Sequence, residues 1–117
     1  MDSEQRPWGA WYVLDEGPGY KVKRIDVRPG QRLSYQTHEQ RSEHWTVARG
    51  TATCTLDGET VEIKPGESTD VAVGTAHRIA NLHDEDLIVI EVQRGEYLGE
   101  DDIVRLDDDY GRGASGQ

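Results

Sequence analysis

Short runs in which apolar and polar residues alternate recur along the chain, separated by turns that carry glycine or proline. Tyr20–Val27, Glu43–Val47 and Leu87–Val92 have the β-branched and aromatic content of strands. Gly17-Pro18-Gly19, Pro29-Gly30, Arg49-Gly50, Asp57-Gly58, Pro65-Gly66, Gly74 and the polar stretch His83–Asp86 punctuate them. Asp57-Gly58, set between Thr53–Leu56 and Glu59–Ile63, is the strongest hairpin signal. No window sustains a helical period. Regular short strands joined by tight turns predict an all-β chain folded as an antiparallel sandwich or barrel. One domain is expected over residues 1–112, followed by a frayed Gly/Ser-rich tail at residues 113–117.

Alternation also sorts the side chains by face. If Ile25 and Val27 point into the barrel, Lys21 and Lys23 point the same way, toward the interior or its mouth. Ser34, Gln36 and His38 share a face. On the next strand Glu43, Trp45 and Val47 point inward and His44 outward. Val89, Glu91 and Gln93 form one face of their strand, so Glu91 is either a local pairing partner or a site residue.

Bulk properties narrow the function. A chain of 117 residues carrying a formal charge of −10 repels nucleic-acid phosphates and anionic membranes, so neither is an expected partner. An anionic substrate would need a local basic cluster to overcome that field. Cys54 is the only cysteine; with Ala52 and Leu56 on its face it reads as a small core residue. The N-terminus has no apolar signal-like stretch and no segment is apolar enough to span a bilayer, which makes the cytoplasm the expected location.

Two segments bring potential metal ligands. Gln36, His38 and Glu43 lie between Gly30 and Gly50, and His77 follows Gly66 and Gly74. Imidazoles and a carboxylate hold divalent cations, and turn glycines set the strands that aim them. The spacing Gly30-x5-Gln36-x-His38-x4-Glu43-x6-Gly50 resembles the first cupin motif, with Gln36 in place of the usual histidine. Gly66-x5-Ala72-x-Gly74-x2-His77-x3-Asn81 resembles the second, with Ala72 where proline is usual. Arg6–Gly9, Tyr20–Lys23, Pro29-Gly30, Arg41–Trp45, Glu91–Gln93, Tyr97–Arg105 and Tyr110–Arg112 are similar to the type II mannose-6-phosphate isomerase domain. That domain usually forms the C-terminal part of a bifunctional enzyme with a mannose-1-phosphate guanylyltransferase, whose nucleotidyltransferase domain is absent from this sequence. The chain also departs from the pattern at Glu39 and Gln40, where histidines are common.

The resemblance implies a cupin double-stranded β-helix, or jelly-roll barrel. It also implies a divalent ion on Gln36, His38, Glu43 and His77: Zn²⁺ first, with Mn, Co, Ni or Fe as alternatives. The implied activity interconverts mannose 6-phosphate and fructose 6-phosphate through an enediolate. Arg41, matching the family's arginine before Glu-His-Trp, is expected to serve catalysis or substrate orientation. Lys21, Lys23, Arg41 and Arg105 are the expected sugar-phosphate donors. Glu91 is the first candidate for proton transfer and Lys23 the second. Glu100-Asp101-Asp102 could cap the barrel, pair with basic groups or form a solvated edge. Trp8 and Trp11 read as packing or dimer-interface residues, and a homodimer formed by sheet contact is expected. Two rival readings stand beside the isomerase. One is a non-catalytic sugar- or nucleotide-sugar-binding cupin acting with a separate guanylyltransferase. The other is an iron-dependent oxygenase, since His38, Glu43 and His77 also satisfy the two-His-one-carboxylate pattern.

Overall fold

The computed structural model of the chain describes residues 2–111, in which eleven strands and no helix form two antiparallel sheets. The larger sheet has the order β1 (Ser3–Arg6), β2 (Gly9–Gly17), β3 (Tyr20–Val27), β10 (Leu87–Gly95), β5 (Arg41–Arg49) and β8 (Ser68–Val71). The smaller has the order β11 (Val104–Asp107), β4 (Tyr35–Thr37), β9 (His77–Ala80), β6 (Ala52–Leu56) and β7 (Glu59–Ile63). The all-β expectation is met. The predicted tail at residues 113–117 lies outside the described residues, as does Arg112. No helix among the described residues is long and apolar enough to cross a membrane.

Turn chemistry explains the local connections. Asp57 and Gly58 both have positive φ, 47° and 84°, which matches the right-handed twist of β6 and β7 across a two-residue hairpin. The sequence reading did not pick out the β1–β2 hairpin, in which Ser3 faces Tyr12 and Arg6 faces Gly9.

Inward-facing residues of the central strands stack in layers whose polarity changes along the barrel. At the base, Val27 faces Leu87; next come Ile25, Val89 and Val47 in register. One layer further, Lys23, Glu91 and Trp45 stand side by side, and beyond them Gln93 faces Glu43. Each strand is therefore apolar at one end of its inner face and polar at the other. Ile63, Cys54, Ala52 and Ile79 of the smaller sheet complete the apolar end, with Trp8, Trp11 and Val13 against it. Burial pushes the Cys54 thiol up to about 12, in keeping with an inert core residue. Trp8 and Trp11 are core residues at 5% and 8% exposure, which takes the packing reading over the interface one.

Asn81 closes the second ligand segment from inside the protein. Its Nδ2 donates to the carbonyls of Val27 at 3.0 Å and Glu85 at 2.8 Å, and its Oδ1 accepts from the His83 amide at 3.1 Å. Fully buried, it ties the turn after β9 to the base of β3. Its role is structural, because replacing it strands a buried carbonyl. Asn81→Leu is expected to destabilise the protein by about 2–3 kcal/mol, read as a lower urea midpoint with an unchanged slope.

Candidate metal centre

His38, Glu43 and His77 converge at the polar end of the barrel. Their ligand atoms all lie within 4.8 Å of one another, and all three residues are buried. The smaller sheet supplies His77 from β9, directly opposite Gln36 on β4, and the larger sheet supplies Glu43 from β5. His38 follows β4 and is pinned from behind, since the Gly74 amide donates to its carbonyl at 2.9 Å. Gly74 sits at φ 80°, a left-handed turn that glycine adopts without strain. That bond joins the two segments that carry the ligands.

Hydrogen bonding fixes which atoms are offered. His38 Nδ1 donates to the Asp102 carbonyl at 2.5 Å and His77 Nδ1 to the Thr75 carbonyl at 2.9 Å. Each ring therefore presents Nε2 toward Glu43, at 3.3 Å from His38 and 3.9 Å from His77. Burial first, then Arg41 and the neighbouring His77, lowers His38 to about 4; burial likewise lowers His77. Both rings are neutral near pH 7 and carry a lone pair on Nε2. His77 Nε2 is buried without a hydrogen-bond partner, which a coordinated cation would supply. Two backbone-oriented imidazoles and a carboxylate are a donor set that fits a divalent ion.

Glu43 is held on both oxygens. Trp45 Nε1 donates to Oε1 at 2.8 Å and Arg41 Nε to Oε2 at 2.8 Å. The Arg41 guanidinium also reaches His38 Nε2 at 3.1 Å. Burial opposes its charge, but Glu43 and Glu91 outweigh burial and keep it protonated. Gln36 stands against the cluster without aiming its oxygen at it. Its Oε1 accepts from the Ser34 hydroxyl at 2.5 Å and its Nε2 lies 3.3 Å from His38 Nε2. To act as an oxygen donor the amide must turn over, and the Ser34 hydroxyl can then accept instead of donate.

A cavity of about 60 Å³ adjoins the cluster. Arg6, Lys23, Arg41 and Arg105 line it together with the carboxylates of Glu91 and Glu100. Lys21 shares the face of Lys23 but lies outside this wall; its Nζ donates to the Leu98 carbonyl at 3.3 Å. His44 points outward and meets Asp70 at 2.6 Å. Trp8, Trp11, Arg6 and Glu100 were not read as cavity residues. Trp11 can be found by extending the alternation to Gly9–Gly17, whereas Trp8 lies in the turn before that strand and Glu100 in the connection after β10, where there is no periodic signal.

Glu91 is buried in the wall and accepts from Gln93 Nε2 at 2.6 Å. Burial first, then the Glu43 carboxylate, raises its carboxyl from 4.5 to about 7.

A two-sheet barrel with a His–Glu–His cluster at its polar end defines this chain as a cupin. The cupin domain of Cnp3 from Schizosaccharomyces pombe shares the fold, with a TM-score of 0.70 and 15% identity over 74% of this chain and 64% of that one. The family model described as Mannose-6-phosphate isomerase C-terminal matches residues 2–108, and the chain belongs to that family. The alginate biosynthesis protein AlgA of Pseudomonas aeruginosa is 50% identical over 93% of this chain. The mannose-1-phosphate guanylyltransferase ManC of Salmonella typhimurium is 47% identical over 92%. The chain spans 23% of the first relative and 22% of the second.

Two outcomes follow from this geometry. Trp45→Phe keeps a ring in the core but removes the donor on Glu43 Oε1, so affinity for an added divalent ion such as Zn²⁺ should fall about 10–100-fold in competition with a chromophoric chelator. The Glu91 carboxyl, raised in the folded state, keeps a proton that the unfolded chain releases. Stability that is complete below pH 4.5 is therefore lost as pH rises toward 7. In chelator, Glu91→Gln should be near neutral at pH 4.5 and stabilising by on the order of 3 kcal/mol above pH 7, measured by urea denaturation.

Proposed function

We propose that this domain is a metal-dependent mannose-6-phosphate isomerase, with His38, Glu43 and His77 as the ion's ligands and Gln36 as a fourth after its amide turns over. The observation that carries the reading is the convergence of those three ligands beside a cavity walled by four cationic side chains. Membership of the isomerase family supports it. Zn²⁺ is the first choice of ion. Glu43 contributes the only formal charge of the ligand set, so a dication there stays net positive and would favour an anionic intermediate over a neutral sugar.

The side chains divide the work. Glu91, titrating near neutrality, is suited to move a proton in both directions. It takes the proton from C2 of the open-chain aldose. The C–H electron pair becomes the C1–C2 double bond, and the carbonyl electrons pass to O1. A proton then moves from O2 to O1, and Glu91 returns its own to C1, leaving the ketose. Arg41 lies between the ligand cluster and the cavity, where it can hold sugar oxygens and offset the charge that develops on them. Lys23 and Arg105 face the same space and supply the positive field an anionic sugar needs in so acidic a chain. The names of the relatives, alginate biosynthesis among them, support a place in the supply of sugars for polysaccharides.

One rival has a specific observation behind it. A relative carries the name mannose-1-phosphate guanylyltransferase, and the chain spans less than a quarter of it. This supports a sugar-phosphate-binding unit that works beside a guanylyltransferase without turnover of its own. The coupled formation of fructose 6-phosphate from mannose 6-phosphate separates the two, run with added Zn²⁺, Mn²⁺, Co²⁺ or Ni²⁺. The isomerase reading expects turnover that disappears in His38→Ala and falls about 10²–10⁴-fold in kcat in Glu91→Gln, with little change in KM. Binding without turnover in every metal would favour the rival. Oxygen uptake by iron-loaded protein would instead point to an oxygenase.

A further inference from the structure

Lys23 is buried to 3% exposure in the cavity wall, an expensive place for an ammonium unless an anion meets it. Its Nζ lies 4.0 Å from the centre of the Trp11 ring and 2.6 Å from Glu100 Oε2. Glu91, directly across the strand pair, is its other acidic neighbour. Glu100 comes from the connection between β10 and β11, which crosses the mouth of the barrel. The connection is fastened unevenly. Asp102 is the firm end: its carbonyl accepts from His38, and its carboxylate takes the amides of Glu39 and Gln40 at 3.0 Å each. Around Glu100 the bonds within the connection are local, from the Asp102 amide to the Gly99 carbonyl at 3.2 Å and from the Tyr97 hydroxyl to Asp101. Among the described residues, this end's polar contacts with the barrel are the Lys23 ion pair and a bond from Lys21 to the Leu98 carbonyl, and the Glu100 side chain is 39% exposed.

Closed in this way, the cavity of about 60 Å³ has room for about two waters, whereas small-molecule sites usually enclose about 300–1,000 Å³. A sugar phosphate needs more room than this; Glu100 is part of the lining, so lifting the tip at residues 98–101 would widen the cavity and break the Lys23–Glu100 pair. The exposed ammonium would then face the cavity beside Arg6, Arg41 and Arg105 with its carboxylate partner removed.

We propose that Lys23 anchors a subsite for the phosphoryl group of the ligand and that Glu100 is a built-in competitor for it, its carboxylate sitting where a phosphoryl oxygen goes. The ligand class, a phosphorylated sugar, rests on the isomerase reading; the competition itself rests on the geometry of Lys23 and Glu100. Anion affinity is then reduced by the fraction of molecules with the tip closed. The same pair excludes uncharged sugars, which have nothing to exchange for the carboxylate.

Calorimetric titration of inorganic phosphate and of mannose 6-phosphate into the zinc-loaded chain and into its chelated form tests this at fixed ionic strength. Glu100→Gln should bind both about tenfold more tightly than the parent chain. Lys23→Gln should weaken both, and in that background Glu100→Gln should no longer matter. Glu100 is exposed enough for its replacement to leave folding intact, and far-UV circular dichroism checks the Lys23 variants. Unchanged or weaker binding in Glu100→Gln overturns the proposal, as does the absence of phosphate binding in every form. Tighter binding without fructose 6-phosphate would sink the isomerase reading and leave the subsite standing. Turnover with unchanged affinity in Glu100→Gln would do the reverse.

Discussion

The buried carboxylate of Glu43 organises the polar end of this barrel. It accepts hydrogen bonds from Trp45 and Arg41, and the Nε2 lone pairs of His38 and His77 face its two oxygens, an arrangement of like partners that a cation between them would stabilise. A charge taken out of water needs several partners at once, and here they come from both sheets. The same charge helps to hold Arg41 protonated and to keep a proton on Glu91 near neutral pH. Moving Glu43 would therefore change the protonation of the wall as well as the ligand set.

The barrel tolerates so many buried polar groups because its strands change character along their length. Val27, Ile25 and Lys23 follow one another on the inner face of β3, and Leu87, Val89, Glu91 and Gln93 on β10. Antiparallel register brings the polar ends of both strands to the same level. The apolar layers beneath supply the burial that stabilises the fold, so the polar layers can be arranged for chemistry. Tryptophan bridges the two regimes. Trp45 packs in the core and donates to Glu43, while Trp11 lies against Lys23.

Alternation made much of this readable in advance. It put Lys23 on the face of Ile25 and Val27, Glu91 on the face of Val89 and Gln93, His44 outside, and Ser34, Gln36 and His38 on one face, because strand periodicity acts over two residues and needs no knowledge of the partner strand. It left open which face of the Glu91 strand is the inner one. Spacing placed the ligand segments in their order. What alternation does not encode is contact between residues remote in sequence and outside regular strands. The capture of Lys23 by Glu100 and of His38 by the Asp102 carbonyl spans 77 and 64 positions, and no local pattern in Tyr97–Arg105 distinguishes a strap over the mouth from a solvated acidic edge. The orientation of the Gln36 amide depends on a single hydroxyl, Ser34, two positions away. A residue's identity does not reveal which end of its amide that hydroxyl will engage.

The overall charge of −10 and the lining of the cavity pull in opposite directions. At long range an anion meets a repulsive surface, and salt screens that repulsion beyond about 10 Å. Inside the cavity the balance reverses, with four cationic side chains against Glu91 and Glu100. Glu91 titrates near neutrality and is only part-charged there, while Lys23 and Glu100 offset one another, so the lining keeps a net positive charge. In a low-dielectric wall short-range terms dominate. On the proposed reading, an anion at the mouth would meet this local lining rather than the net charge of the chain, once Glu100 gives up Lys23.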